Sequence, residues 1–185
     1  MRAREQADPL RVLLVDDHPV VRFGLRAVLE ATGRVTVVAE AASGEQALAL
    51  VRTASPDVVL MDLNLGAGID GVATTTRILA GDSPPAVLIL TTYDHDSDIV
   101  RAVEAGASGY LLKDASAEAI ADAVAAAARG ETVLATGLAQ RLVTRLRAPT
   151  EPTLTARELE VLRLVARGDS NRVAAKELFV SEATV

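Results

Sequence analysis

Residues 12–29, Val12-Leu-Leu-Val-Asp-Asp-His-Pro-Val-Val-Arg-Phe-Gly-Leu-Arg-Ala-Val-Leu29, join an unbroken apolar run, two acids and a helical pattern starting near Val20. A short, continuously apolar run reads as a strand covered on both faces, because a half-solvated strand would alternate. The same unit recurs along the chain. Apolar runs lie at Val12–Val15, Val35–Ala39, Val58–Met61, Val87–Leu90 and Tyr110–Leu112, and helical patterns start near Val20, Ser43, Gly71 and Asp98, with a fifth after Ser116. Ser43-Gly-Glu-Gln46 has the form of a capping box, and Ser116 stands where it can cap the fifth helix. Gly106 and Gly130 fall where helices should stop. Strand–helix alternation repeated five times specifies an α/β fold with a doubly wound, five-stranded parallel sheet, whose site lies at the carboxyl ends of the strands.

Four of those five ends carry chemistry: Asp16-Asp17, Asp62, Thr91 and Lys113. The lysine stands out because the chain holds 17 arginines and only two lysines. A compact ammonium acts as a point charge where a guanidinium would fork differently and fill more space. Three carboxylates at one sheet edge repel one another and need a cation, and an oxygen-only site suits Mg²⁺. Asp62 then reads as a nucleophile that forms an acyl phosphate. Lys113, the Thr91 hydroxyl and Mg²⁺ would neutralise and orient the phosphoryl oxygens. Any one of these acids alone would more simply be a cap; it is their coincidence that argues for a site. His18, at a loop-to-helix junction, reads as a local hydrogen-bonding residue, and His95, among acids, as a solvated one.

Composition narrows the class further. The absence of cysteine excludes disulfides and thiolate metal sites and fits a reducing compartment. The Val12–Val15 run is far too short for a signal-peptide core or a membrane span, so a cytoplasmic protein without membrane contact is expected. The net charge of −6 is uneven. Residues 1–140 hold 11 basic and 19 acidic side chains, whereas residues 141–185 hold 8 and 6. That slight basic excess alone is a weak sign of nucleic-acid contact.

Val15-Asp-Asp-His-Pro-Val-Val-Arg22, Val58-Val-Leu-Met-Asp-Leu-Asn64, Leu90-Thr-Thr92 and Ala105-Gly-Ala-Ser-Gly-Tyr-Leu-Leu-Lys-Asp114 closely resemble the receiver domain of bacterial two-component response regulators. The resemblance spans about residues 10–130. It implies a flavodoxin-like fold phosphorylated by a sensor histidine kinase, with Asp62 as phosphoacceptor. It also implies that Asp16, Asp17, Asp62 and the backbone carbonyl of Asn64 serve the metal. Lys113 would bind phosphate, and Thr91 and Tyr110 would be the switch positions. A phosphohydrolase of haloacid-dehalogenase type generally needs an acid two residues after its nucleophile; Asn64 stands there, so no enzyme is expected.

Gly130 ends the fifth helix, helical character returns around Gly137–Leu146, and Ala148-Pro-Thr-Glu-Pro152 breaks the pattern as a linker. Thr155-Ala-Arg-Glu158 is a second capping box, opening a helix that Gly168 stops, and Asn171–Leu178 forms another. Leu154–Gly168 with Leu178-Phe-Val-Ser-Glu-Ala-Thr-Val185 resembles the start of a LuxR-type helix-turn-helix. A receiver plus this module implies the NarL/FixJ class, with a receiver at 9–130, a linker at 131–152 and a partial all-α helix-turn-helix at 153–185. The resemblance departs at Arg172-Val173-Ala174, where a basic residue, Glu and Ile are usual; Val173 cannot close a box with Ser170.

The expected function is transcription controlled by phosphorylation, with homodimerisation or release of the effector following. The other reading is a stand-alone receiver acting through protein contacts. In a helix-turn-helix the second helix reads the major groove, and here it would begin near Ser181. With about one turn before Val185, sequence-specific DNA binding is expected of a longer chain and not of these 185 residues.

Overall fold

The computed structural model describes residues 8–92 and 96–134, together with residues 164, 173 and 177. The elements run β1 (Leu10–Val15), α1 (Pro19–Ala31), β2 (Val35–Ala41), α2 (Gly44–Ala54), β3 (Val58–Met61), α3 (Gly71–Leu79), β4 (Ala86–Thr91), α4 (Asp96–Glu104), β5 (Gly109–Leu112), α5 (Ala117–Ala128) and β6 (Val133–Leu134). The strands form one sheet in the order β2-β1-β3-β4-β5-β6, and every pairing is parallel. The chain divides into two compact units, Met1–Arg145 and Leu146–Val185, and all these elements belong to the first.

Continuous apolar strands require cover on both faces, and both are covered. Val12, Leu14, Val58, Leu60, Leu88 and Leu90 pack with Leu29 of α1 and with Ile120 and Val124 of α5. The intervening residues Leu13, Val15, Val59, Met61, Val87 and Ile89 pack with Ala47 of α2, Ile78 of α3 and Ile99 of α4. Successive side chains of a strand point to opposite faces, so one strand feeds two separate cores. With so few aromatics, branched aliphatic residues and alanine fill most of both.

Local signals act where the sequence places them. Ser43 Oγ accepts the Gln46 N–H at 3.3 Å, while Gln46 Oε1 accepts the N–H of Ala42, one residue before the cap, at 2.9 Å. Ser116 Oγ caps α5 through the Ala119 N–H at 3.2 Å. Gly106 and Gly130 take positive φ values of 87° and 79°, the left-handed region that glycine enters without a Cβ penalty.

All five expected strands are present, and a sixth joins them. Val133 pairs with Gly109 and Leu134 with Tyr110, inside the stretch read from sequence as linker. Two residues carry no periodicity, so nothing local announced this strand. Its approach depends on Gly109, where a Cβ would lie 2.3 Å from Val133 O. The helix expected around 137–146, the linker prolines, the capping box at 155–158, all but residues 173 and 177 of the helix at 171–178, the recognition helix from Ser181 and the His95 loop lie outside the described residues. Of residues 164, 173 and 177, all helical, Leu164 is buried and Val173 and Glu177 are exposed.

Two glycines in helices should respond oppositely to alanine. At Gly71 a Cβ would meet Asp62 O at 2.1 Å, whereas at Gly24, within α1, nothing lies within 4 Å. Gly71→Ala should cost about 1–3 kcal/mol by overpacking, and Gly24→Ala should stabilise by about 0.5–1 kcal/mol. Urea midpoints of the two variants measure both.

Asp70 generates a second prediction. It caps α3 through the Ala73 N–H at 2.7 Å and pairs with Arg101 of α4 at 2.8 Å. Partial burial works to raise its pKa, but the Ala73 N–H and Arg101 outweigh it and hold the carboxylate below its usual range. Losing the cap in Asp70→Ala should cost about 1 kcal/mol at neutral pH. Because the folded-state pKa is depressed, the carboxylate's stabilisation is present above about pH 4 and fades as pH falls through the folded value. Denaturation of Asp70→Asn, which keeps a cap acceptor but no charge, should therefore converge on wild type at low pH.

Candidate functional site

Strand register assembles the site. Val15 pairs with Met61 and Thr91 with Leu112, so the residues that follow these pairs emerge side by side at one edge of the sheet. The ladder continues for one more step on each side. Asp62 N donates to Val15 O at 2.9 Å, and Lys113 N donates to Thr91 O at 2.9 Å. From the end of β5, Lys113 reaches past β4 to the acids beyond β3 and β1. Its Nζ lies 2.6 Å from Asp62 Oδ2 and 2.5 Å from Asp16 Oδ2.

All three side chains are largely shielded from water: Lys113 is 10% exposed, Asp62 6% and Asp16 4%. Burial alone would lower the lysine pKa, yet close contact with the Asp16 and Asp62 carboxylates more than offsets this and raises it. The ammonium is therefore the fixed countercharge of both acids. Thr91 is fully buried at the β4 end, and Tyr110 is buried within the core beneath α4.

Asp17 also has a neighbour that the sequence expectation of three adjacent carboxylates did not include. The tight group is Asp16, Asp17 and His18, whose ligating atoms all lie within 4.8 Å of one another. Asp62 joins Asp16 through the ammonium. His18 Nδ1 is 2.6 Å from Asp17 Oδ1, and His18 N donates to Asp16 Oδ1 at 2.8 Å, so the histidine bonds locally as read from sequence.

The loop after β3 closes over this edge. Asn64, exposed, donates its N–H to Asp62 Oδ1 at a long 3.5 Å. Gly66 at φ 66° lies against Asp17, where a Cβ would come within 3.2 Å of Oδ2. Ile69 N donates to Glu45 Oε1 of α2 at 3.1 Å, tying the loop to its neighbour. Sequence reading missed Gly66, Glu45 and Arg22, whose Nη1 donates to Asp16 O at 2.5 Å. Arg22 stood inside the motif, but a backbone carbonyl as partner leaves no trace in residue types.

The donor set fits a hard cation. Asp16 Oδ2 and Asp17 Oδ1 are buried and accept no hydrogen bond, although Lys113 Nζ and His18 Nδ1 lie 2.5 and 2.6 Å from them. Buried carboxylate oxygens left in that state are costly, and an oxygen-seeking divalent ion satisfies them. A groove of about 740 Å³ lies at the opposite sheet edge by Pro56, Pro84, Arg52 and Arg77, away from this chemistry.

Comparison with known proteins agrees with this geometry. Residues 12–125 match the response regulator receiver domain, and residues 152–185 match the bacterial regulatory proteins of the luxR family. The transcriptional regulatory protein LiaR of Bacillus subtilis (strain 168) is 42% identical over 181 residues, covering 95% of this chain and 85% of that protein. The crystal structure of ChrA, a response regulator in a heme-sensing two-component system, superposes with a TM-score of 0.65 at 48% identity, over 96% of this chain and 85% of that one. A structure of two RcsB dimers bound to two parallel DNAs aligns with a TM-score of 0.70 at 25% identity, over 95% and 86%. Receiver fold, LuxR-type DNA-binding module and relatives alike assign the chain to the NarL/FixJ class of two-component response regulators.

Proposed function

We propose that Asp62 is the phosphoacceptor through which a sensor histidine kinase controls this regulator. The observation that carries the reading is the Lys113 ammonium held between Asp62 and Asp16 at the carboxyl edge of the sheet. A carboxylate oxygen of Asp62 attacks phosphorus, the bond from phosphorus to the donor's histidine nitrogen breaks, and an acyl phosphate forms on Asp62. The phosphoryl group would bring oxygens for Lys113 and the Thr91 hydroxyl to receive.

Asp16, Asp17, Asp62 and the Asn64 carbonyl would hold Mg²⁺. Bound there, the ion supplies positive charge against both the acid cluster and the incoming phosphoryl oxygens. Without it, an anionic donor must approach a concentration of negative charge. The role of the protein is positioning and charge stabilisation, and its output is a regulated state; it is no metabolic enzyme.

Thr91 and Tyr110 form the switch in this reading. New hydrogen bonding at Thr91, on β4, would favour a different packing of Tyr110 on the adjacent strand, a local charge event on a bistable element. Homodimerisation and DNA binding by the LuxR-type module follow, as the DNA-bound RcsB dimers illustrate for a relative. We assign residues 9–134, β6 included, to the receiver and 153–185 to the DNA-binding part, with a linker between them. Among the described residues no helix is long and apolar enough to cross a membrane, and a regulator of this class that takes its phosphoryl group from a sensor kinase would act in the cytoplasm.

Intact-mass analysis after incubation with acetyl phosphate and Mg²⁺ tests the assignment. Wild type should gain one phosphoryl group, and Asp62→Asn should gain none while keeping its helical circular dichroism. Chelation of divalent ions should abolish labelling of wild type. Stoichiometric labelling of Asp62→Asn at another acid would refute the role of Asp62.

A further inference from the structure

We propose that Arg22 is a positioning residue for the acidic pair, fixing the turn between β1 and α1 so that Asp16 and Asp17 present their oxygens to a divalent cation; this rests on the Mg²⁺ reading above. The guanidinium is only 16% exposed, although it lies on a helix whose neighbouring Val20 and Phe23 are 81% and 76% exposed. It turns away from solvent for a specific partner, donating from Nη1 to the backbone carbonyl of Asp16 at 2.5 Å. That carbonyl belongs to the peptide linking Asp16 to Asp17. Anchoring it sets the plane of the link and so the direction in which the Asp17 side chain leaves the backbone.

Arg22 is itself braced. Its Nε faces Glu40 Oε2 of β2 at 3.5 Å, an ion pair without a hydrogen bond. Glu40 Oε1 accepts from Arg26 Nη1 at 3.2 Å, Arg26 Nε donates to Glu30 Oε2 at 3.3 Å, and Glu30 Oε1 accepts the Val37 N–H at 3.1 Å. Val37 stands where the pairing of β1 with β2 slips by one residue between Val12 and Leu13. The network thus ties the turn bearing the acids to the irregular edge strand. A planar guanidinium can serve a carbonyl and a carboxylate together in one fork, whereas an ammonium offers a point charge with no such fork.

The sign of one measurement separates positioning from mere charge. Considered only as a nearby positive charge, Arg22 opposes cation binding, and its removal should tighten Mg²⁺. Considered as a brace, its removal lets the Asp16–Asp17 link rotate and weakens Mg²⁺. A purely structural role lowers the melting temperature and leaves the affinity of folded protein unchanged.

Calorimetric Mg²⁺ titration of the full chain, with thermal melts, decides among them for wild type, Arg22→Leu, Arg22→Lys and Arg26→Gln. Loss of a residue that orients metal ligands typically costs 10–100-fold in affinity, so Arg22→Leu should bind Mg²⁺ about 10-fold more weakly. Arg22→Lys should fall between it and wild type, and Arg26→Gln, which spares the bond to Asp16, should stay near wild type. Equal or tighter binding by folded Arg22→Leu overturns the inference. Should that variant not fold, Arg22→Lys decides on the same criterion, weaker binding supporting the inference and equal or tighter binding overturning it. Failure of wild type to bind Mg²⁺ overturns the metal reading and this inference with it, whereas normal binding by wild type and both Arg22 variants overturns this inference alone.

Discussion

One ammonium group bridges two acids that the sheet would otherwise force together uncompensated. Asp16 and Asp62 emerge from neighbouring strands in register, so their closeness is a consequence of parallel pairing rather than of any attraction. Lys113 comes from a strand two places farther along the sheet and spans the gap. A buried ion pair of this kind is weak evidence of stability, because desolvation offsets much of the attraction. The arrangement makes better sense as a prepared electrostatic environment, in which charges are already desolvated and oriented before any phosphoryl oxygen arrives.

Around that centre the fold divides its labour. The two apolar layers hold the strands and use no chemistry-bearing side chain except Tyr110, which is buried in the layer shared with α2, α3 and α4. The loops at the carboxyl edge supply the acids and the glycines that let backbone approach them. Thr91 connects the two regions, since it ends an interior strand yet abuts Lys113 through its carbonyl. A change at the site therefore has a direct covalent route into the core.

Residue type and spacing made much of this legible. Uninterrupted runs such as Val58–Met61 require cover on both faces, which implies the layered parallel sheet, and strand ends bearing Asp62 and Lys113 then fall at one edge. Capping at Ser43 and Ser116 was equally readable, since a hydroxyl before a helical pattern has one obvious use. What stayed hidden depends on backbone partners and on distant approach. The bond of Arg22 to a carbonyl, that of Glu45 to the Ile69 N–H, and the two-residue strand at Val133–Leu134 have no periodic signature. The placement of Asp17 beside His18, with Asp62 reached through Lys113, likewise depends on side-chain rotamers that spacing does not specify.

The strand order has a consequence in time. A chain made from its amino terminus completes β1 and β2 first and adds β3 to the other side of β1, after which each further strand joins a growing edge. On that schedule Asp16 and Asp62 are synthesised, and can meet, before the residue that neutralises them. Lys113 arrives 51 positions after Asp62, with β5, the strand that closes the charge balance. Without β5 the two acids lack their shared countercharge, so docking of that strand both extends the sheet and relieves their repulsion.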